Sequence, residues 1–150
     1  MHKLPIEFNS IAHATGEFEK LWTTMSDQRV LDHSIPAEFG GSGGGFSPED
    51  LFLQSIMNCF IGTFKVIAKS SKLNFSKLDV SGRLIVDKGP EGKTCMKTIN
   101  LQIKIYDSDR PDRLETIVGK VFRDGFIINS VKSEIKYELE ILQSQTSLQV

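Results

Sequence analysis

Residues 39–60 read FGGSGGGFSPEDLFLQSIMNCF. Five of the twelve glycines of the chain fall in the first seven positions of this segment, where regular structure would carry a large entropic cost, so we predict a mobile or tightly folded loop. Ser47 then offers a helix N-cap, Pro48 suits the first helical position, and Glu49 and Asp50 face the positive end of the helix dipole. The segment therefore predicts a glycine-rich loop that leads directly into a helix.

The helix is predicted to run from Pro48 to about Ser70, because apolar or small residues recur every three or four positions over that length. Few polar side chains interrupt it, which indicates a central helix packed on several sides. A second amphipathic pattern predicts a helix from near Asp109 to Gly125. Alternating apolar and polar residues predict strands: two or three within 1–39, a hairpin over 78–86 and 99–105, and a last strand over 135–141. This order predicts an α+β fold in a single domain over 1–150.

Composition excludes several classes of function. The chain has 150 residues, 39% of them hydrophobic and 25% charged, with a formal net charge of −1, which is typical of a globular protein in water. Nucleic-acid binding needs an excess of cationic side chains that neither the total nor any local run supplies. No run of about 18 consecutive apolar residues and no apolar leader is present, so we expect no membrane partner and a cytoplasmic location.

Metal and cofactor motifs are also missing from the sequence. The three histidines, at positions 2, 13 and 33, have no cysteine or second histidine at ligand spacing, so no metal site is expected. The glycine-rich loop ends without the Gly-Lys-Ser/Thr of a phosphate loop and lacks the dinucleotide spacing, so no cofactor is expected. Residues 40–44 match Gly-x-Ser-x-Gly, but no histidine follows position 33 to complete a hydrolase triad.

Cys59 lies in the apolar stripe of the first helix and has two interpretations. It is either a small core residue or a thiolate nucleophile. It is about three turns into the helix, so the helix dipole contributes little and a lowered pKa would need another cation. Glu49 is ten residues earlier at a rise of about 1.5 Å per residue, too far to contact Cys59, but it could orient an arginine toward it. Phe52, Phe60 and Phe64 are either core or the walls of an apolar ligand pocket.

Residues 39–60 resemble the OsmC/Ohr family of osmotically inducible and organic hydroperoxide resistance proteins. That family has a glycine-rich loop, then Pro-Glu-x-Leu at the start of a long central helix. A reactive cysteine follows ten residues after the Glu, with an apolar or aromatic residue behind it. The order of the remaining helices and strands is similar over essentially the whole chain. The residues that match in type and spacing are Pro48, Glu49, Leu51, Cys59 and Phe60.

The resemblance implies an OsmC-like fold, with antiparallel sheets packed around a long central helix. It implies an intertwined homodimer with two sites at the subunit interface. It also implies a stress-response protein with peroxiredoxin-like chemistry, an oxidoreductase in which Cys59, assisted by Glu49, attacks an alkyl or lipid hydroperoxide. A second cysteine then resolves the sulfenic acid as a disulfide, and a thiol reductant restores the pair.

The chain departs from the family pattern at two places. Gly125 aligns with the second cysteine, and Cys95 belongs to the predicted hairpin instead. Residues 12–16 offer no arginine where the family uses one, although His13 could substitute for it. Two hypotheses follow. In the first, Cys59 reacts with organic hydroperoxides, and the protein is either a one-cysteine peroxidase that uses an external thiol or a weakly active relic. In the second, it is a non-catalytic protein. The latter would bind a small hydrophobic ligand at the dimer interface, between the three phenylalanines.

Overall fold

The protein was analysed as a computed structural model that describes residues 3–144. The chain divides into two compact units, Met1–Leu51 and Phe52–Val150. The strands and α-helices, in chain order, are β1 (Ile11–His13), β2 (Trp22–Ser26), β3 (Arg29–His33), α1 (Pro48–Ser70), β4 (Lys77–Lys88), β5 (Thr94–Tyr106), α2 (Leu114–Asp124) and β6 (Glu134–Leu142). This is the α+β order that the sequence predicted.

The N-terminal unit holds an antiparallel sheet in the order β1-β2-β3. Asp27 and Gln28 form the two-residue turn between β2 and β3 with φ values of 53° and 66°. Positive φ at both central residues is the geometry whose twist matches that of the flanking strands. The prediction of two or three strands in this region is thus confirmed as three.

The glycine-rich loop is tightly folded, which decides between the two predicted states. It follows a short 3-10 turn, Ala37–Phe39, and turns at Gly40 with φ of 79°. A Cβ placed on Gly41 would lie 2.0 Å from the carbonyl oxygen of Ile35, so no larger residue fits there. The amides of Gly41 and Gly43 donate to the carbonyls of Pro36 and Ile35. These two amides therefore have protein acceptors and are not free to bind a phosphate group.

Helix α1 begins at the predicted cap. The Ser47 hydroxyl accepts a hydrogen bond from the Asp50 amide at 3.0 Å, and the Asp50 carboxylate accepts one from the Ser47 amide at 2.9 Å. This reciprocal pair is a capping box with Asp in the third helical position. It satisfies two backbone donors and sets the register of every later residue of α1.

Among residues 3–144, α1 is the helix that meets the length and composition of a membrane span, with an 18-residue window of mean hydropathy 1.5. In the sequence, polar residues such as Gln54 and Asn58 interrupt the apolar run of this helix, so no unbroken apolar segment marks it. Core helices of globular proteins meet the same two conditions. Only 22% of the window is buried within the chain.

The C-terminal unit holds a sheet in the order β4-β5-β6. β4 and β5 form the predicted antiparallel hairpin, but β6 pairs with β5 in parallel, from Thr98 opposite Glu134 to Tyr106 opposite Leu142. The predicted antiparallel pairing is confirmed for β1 with β2, β2 with β3 and β4 with β5, and β6 departs from it. The chain passes through α2 between these two strands, and parallel neighbours require such a crossover.

The core of this unit lies between the sheet and the two helices. A Cβ on Gly82 of β4 would come within 3.0 Å of the Leu53 and Met57 side chains of α1, so the helix packs closely on the sheet. The buried apolar residues are Ile56, Phe60, Phe64, Ala68, Leu73, Ile99, Leu101, Ile103, Ile105, Leu114, Ile117, Val118, Val121 and Ile128.

Candidate functional site

Cys59 sits in the middle of α1 on the edge of its buried face. Ile56 and Phe60, on either side of it in sequence, are fully buried, whereas Cys59 is half-buried with a free thiol. Its side chain packs against the core of the C-terminal unit. Cys59 is thus held by packing while part of the residue stays exposed within this chain.

Gly125 lies directly against the Cys59 sulfur. A Cβ placed on Gly125 would be 3.2 Å from Cys59 Sγ. Across a disulfide, the Cβ of one cysteine lies about 3 Å from the sulfur of the other, given an S–S bond of about 2.04 Å. The position that aligns with the family's second cysteine is therefore at disulfide distance from Cys59 and is occupied by glycine.

The backbone around Gly125 is held by a residue that sequence reasoning missed. The Gly125 amide donates to the Val121 carbonyl at 2.8 Å, which ends α2 where the sequence predicted. The Asn129 side-chain amide donates to the Gly125 carbonyl at 2.7 Å and to the Arg123 carbonyl at 2.9 Å. Asn129 thus fixes the chain beside the thiol. Its only sequence signal is an asparagine shortly after a helix C-terminus, where carbonyl groups lack partners.

Glu49 belongs to the N-terminal unit, in the first turn of α1. Its Oε2 atom is shielded from solvent and has no hydrogen-bond partner within residues 3–144. His33 of β3 shows the same feature at Nδ1, while its Nε2 lies 2.6 Å from the Thr24 hydroxyl. Buried polar atoms without partners carry a desolvation cost, so each marks a place where a further donor or acceptor would bind favourably.

His13, which could substitute for the family's arginine, is exposed, and so is Arg29 of the same sheet. His13 lies on β1 opposite Thr23. Arg29 is at the β2–β3 turn and forms an ion pair with Asp27 at 3.5 Å, with both side chains largely in solvent. An exposed pair of this kind contributes little. No cluster of three or more His, Cys, Asp or Glu side chains suited to a metal ion occurs in residues 3–144.

The three phenylalanines separate into two environments. Phe60 and Phe64 are 0% exposed, with their ring centroids 6.0 Å apart, and Phe60 also lies 5.5 Å from Phe122 of α2. Within this chain they form core rather than pocket wall. Phe52 is half-buried and lines a cavity at the β4–β5 turn. Cys95 is exposed in the same hairpin, as its sequence position predicted.

The site contains a half-buried thiol in the middle of a long capped helix, and this helix packs on a three-stranded mixed sheet. The chain is therefore an α+β protein with a cysteine in its long helix. The chain belongs to the family of OsmC-like proteins, whose family model matches residues 41–140. The matched region includes the glycine-rich loop, all of α1 and the hairpin. The resemblance predicted from residues 39–60 is confirmed.

Relatives and solved structures support this assignment. The chain is 29% identical over 134 residues to the organic hydroperoxide resistance protein of Xanthomonas axonopodis pv. citri (strain 306), covering 87% of this chain and 92% of that protein. An OsmC-like protein of unknown function from Vibrio cholerae has the same fold, with a TM-score of 0.82 at 18% identity over 90% of this chain and 99% of that one. The organic hydroperoxide resistance protein OsmC from Legionella pneumophila gives a TM-score of 0.66 at 20% identity, over 92% and 99%.

Proposed function

We propose that this protein reduces organic hydroperoxides in the cytoplasm, with Cys59 as the reacting group and a thiol from solution as the reductant. Membership of the OsmC-like family and similarity to an organic hydroperoxide resistance protein support a peroxide-related role. The half-buried, free thiol of Cys59 supports the choice of residue. No cofactor is needed for this chemistry, because the sulfur itself carries the electrons.

The proposed cycle has three steps. The Cys59 sulfur attacks the terminal peroxide oxygen, so that an S–O bond forms as the O–O bond breaks. The products are Cys59 sulfenic acid and an alcohol. An external thiol then condenses with the sulfenic acid to give a mixed disulfide and water. A second external thiol releases reduced Cys59 and leaves as a disulfide with the first.

The contact between Gly125 and Cys59 carries the one-cysteine form of this proposal. The Cβ of a second cysteine at position 125 would lie 3.2 Å from the Cys59 sulfur, within reach of a disulfide, and the glycine there offers no thiol. Cys95 is on the β4–β5 hairpin and does not take that place. A sulfenic acid without a neighbouring thiol advances toward irreversible oxidation, so a mobile thiol has to intercept it.

Glu49 has a supporting role in this proposal. Its shielded Oε2 atom, which lacks a partner in residues 3–144, is an acceptor for a donor that another chain would supply. The guanidinium group of an arginine has the required chemistry.

Trapping the sulfenic acid tests the proposal. We would use Cys95→Ser protein, in which Cys59 is the only thiol, add one equivalent of cumene hydroperoxide, and trap with dimedone. The expected result is one dimedone adduct on the Cys59 peptide, and none in the folded double variant that also carries Cys59→Ser. Folded protein that consumes no hydroperoxide and gives no adduct would exclude the peroxidase.

A non-catalytic protein that binds a small hydrophobic molecule is the alternative. Alkylation of the Cys95→Ser protein near pH 6 separates the two functions, because a catalytic thiolate reacts quickly there and a core cysteine does not react until the protein unfolds. Native mass spectrometry of the purified protein would then show a bound apolar molecule under the second hypothesis only.

A further inference from the structure

A cavity of about 740 Å³ opens in the C-terminal unit, at the turn between β4 and β5. Three segments form its walls: the start of α1 at Phe52, the turn and first residues of β5, and the stretch Ser130–Ser133 before β6. Its volume is within the usual range of about 300–1,000 Å³ for small-molecule sites. Cys59 does not line it, and Phe52 precedes Cys59 by seven residues, about 10 Å along the helix.

The floor of the cavity is apolar. Phe52, Met96 and Val131 are half-buried, and Phe52 and Val131 also pack against the core of the unit. The Ser133 hydroxyl donates to the Met96 carbonyl, which ties the Ser130–Ser133 wall to β5. A preformed floor held by the core offers an apolar chain a binding surface without further ordering.

The rim of the cavity is cationic. Lys93, Lys97 and Lys132 line it and are exposed, against one acidic lining residue, Glu91. Lys97 lies 3.9 Å from Asp87, an exposed and weak pair that leaves its ammonium group available. Three ammonium groups around an apolar floor favour a ligand with one anionic end.

We propose that this cavity binds a small amphipathic carboxylate, with its alkyl chain on the Phe52–Val131 floor and its carboxylate among the three lysines. This site is separate from the Cys59 thiol, and binding there would be a function in addition to the proposed peroxidase activity. Cys95 lines the same cavity, and a Cβ on Gly89 would be 2.9 Å from its sulfur. The Cys95 thiol therefore reports occupancy, since a bound chain would cover it.

The test measures the alkylation rate of Cys95 in the wild-type protein by peptide mass spectrometry, using neutral iodoacetamide. Decanoate, below its micelle concentration, is expected to slow Cys95 alkylation at least tenfold at saturation. Decylamine, which has the same chain length and the opposite charge, should give less than twofold protection. Equal protection by both, or none by decanoate, would overturn the proposal.

Charge reversal on the rim supplies the second measurement. Lys93→Glu combined with Lys132→Glu is expected to raise the decanoate concentration for half-protection at least tenfold. Lys72→Glu, in the exposed turn after α1, is the matched control and should leave the decanoate concentration for half-protection unchanged. If the double variant does not fold, as judged by circular dichroism, Lys93→Gln with Lys132→Gln should give a smaller loss in the same direction. Unchanged half-protection in a folded rim variant would reject the lysine rim as the carboxylate site.

Discussion

Residue 125 lies close enough to Cys59 for a thiol introduced there to reach its sulfur. In Gly125→Cys, made on the Cys95→Ser background, the introduced sulfur would start from a Cβ 3.2 Å from Cys59 Sγ. We expect one equivalent of hydroperoxide to give a disulfide between Cys59 and the introduced cysteine, seen as a cross-linked peptide, in place of the dimedone adduct. The disulfide should stabilise the oxidised form by about 2–4 kcal/mol relative to the reduced form.

Gly125→Ala is the control for this variant, because it adds the same Cβ without a thiol. That Cβ would lie 3.0 Å from the Val121 carbonyl oxygen and 3.1 Å from the Ile128 Cδ1 atom. Both variants should therefore lose about 1–3 kcal/mol of stability when reduced, while Gly125→Ala keeps the dimedone adduct on Cys59. Equal dimedone labelling of the two folded variants would show that residue 125 is not placed to resolve the sulfenic acid.

The sequence predicted which residues lie close together better than it predicted their surroundings. The family resemblance aligned Gly125 with the second cysteine, and in the structure Gly125 lies beside Cys59. The periodicity of α1 put Phe52, Phe60 and Phe64 on one face, but it could not say which of them face a cavity. That depends on α2 and on the β4–β5 turn, far away in sequence, whose packing a local pattern does not contain.

At the level of the strands and helices, one carboxylate ties together the ends of the second sheet. Asp107 follows β5 with φ of 53°. Its carboxylate accepts hydrogen bonds from the hydroxyl groups of Ser76, just before β4, and Ser144, just after β6. It also accepts one from the Ser144 amide at 2.6 Å. The hydrogen bonds from Ser144 and Ser76 hold the pKa of Asp107 below its ordinary value.

A lowered pKa in the folded state means that the carboxylate stabilises the fold above the unfolded pKa of about 3.9. That contribution is lost as the pH falls through the folded pKa. Asp107→Asn keeps a residue that tolerates positive φ and removes the charge. The free energy of unfolding in urea should be lower for the variant than for wild type at pH 6. The difference between the two free energies should narrow steadily from pH 4 to pH 2.5. A difference of constant size would contradict the assignment, and Asp112→Asn, the same substitution in an exposed 3-10 turn, is the control variant.

Local signals predicted the helices and strands well, and the pairing of the last strand poorly. The start of α1 was predictable because the capping box is made by residues three apart, Ser47 and Asp50. The end of α2 at Gly125 was marked by glycine. β6 has the same alternation whether it pairs parallel or antiparallel, so its direction follows only from the crossover through α2.

At the level of the whole molecule, much of the surface of α1 stays exposed in the chain. Asn58, Gly62 and Val66 recur every four residues on an exposed face of the helix, and Val66 is 69% exposed. Together with the low buried share of α1, this favours the homodimer that the family resemblance implies. A second copy of the chain would cover this face of α1, so that a membrane is not needed to explain its exposure. Gly62 would let the backbone of the partner approach closely.

The expected solution species is therefore a dimer of the 16.8 kDa chain, which sedimentation equilibrium would measure directly. Val66→Glu puts a charge into the proposed helix contact and should raise the dimer dissociation constant at least a hundredfold, because an unpaired buried carboxylate is costly. Lys72→Glu introduces the same side chain on the exposed turn beyond α1 and should leave the dimer intact. A wild-type monomer, or a folded Val66→Glu dimer of unchanged affinity, would remove α1 from the interface. Co-sedimentation of the wild-type protein with neutral lipid vesicles would instead assign the exposed face of α1 around Val66 to contact with a membrane.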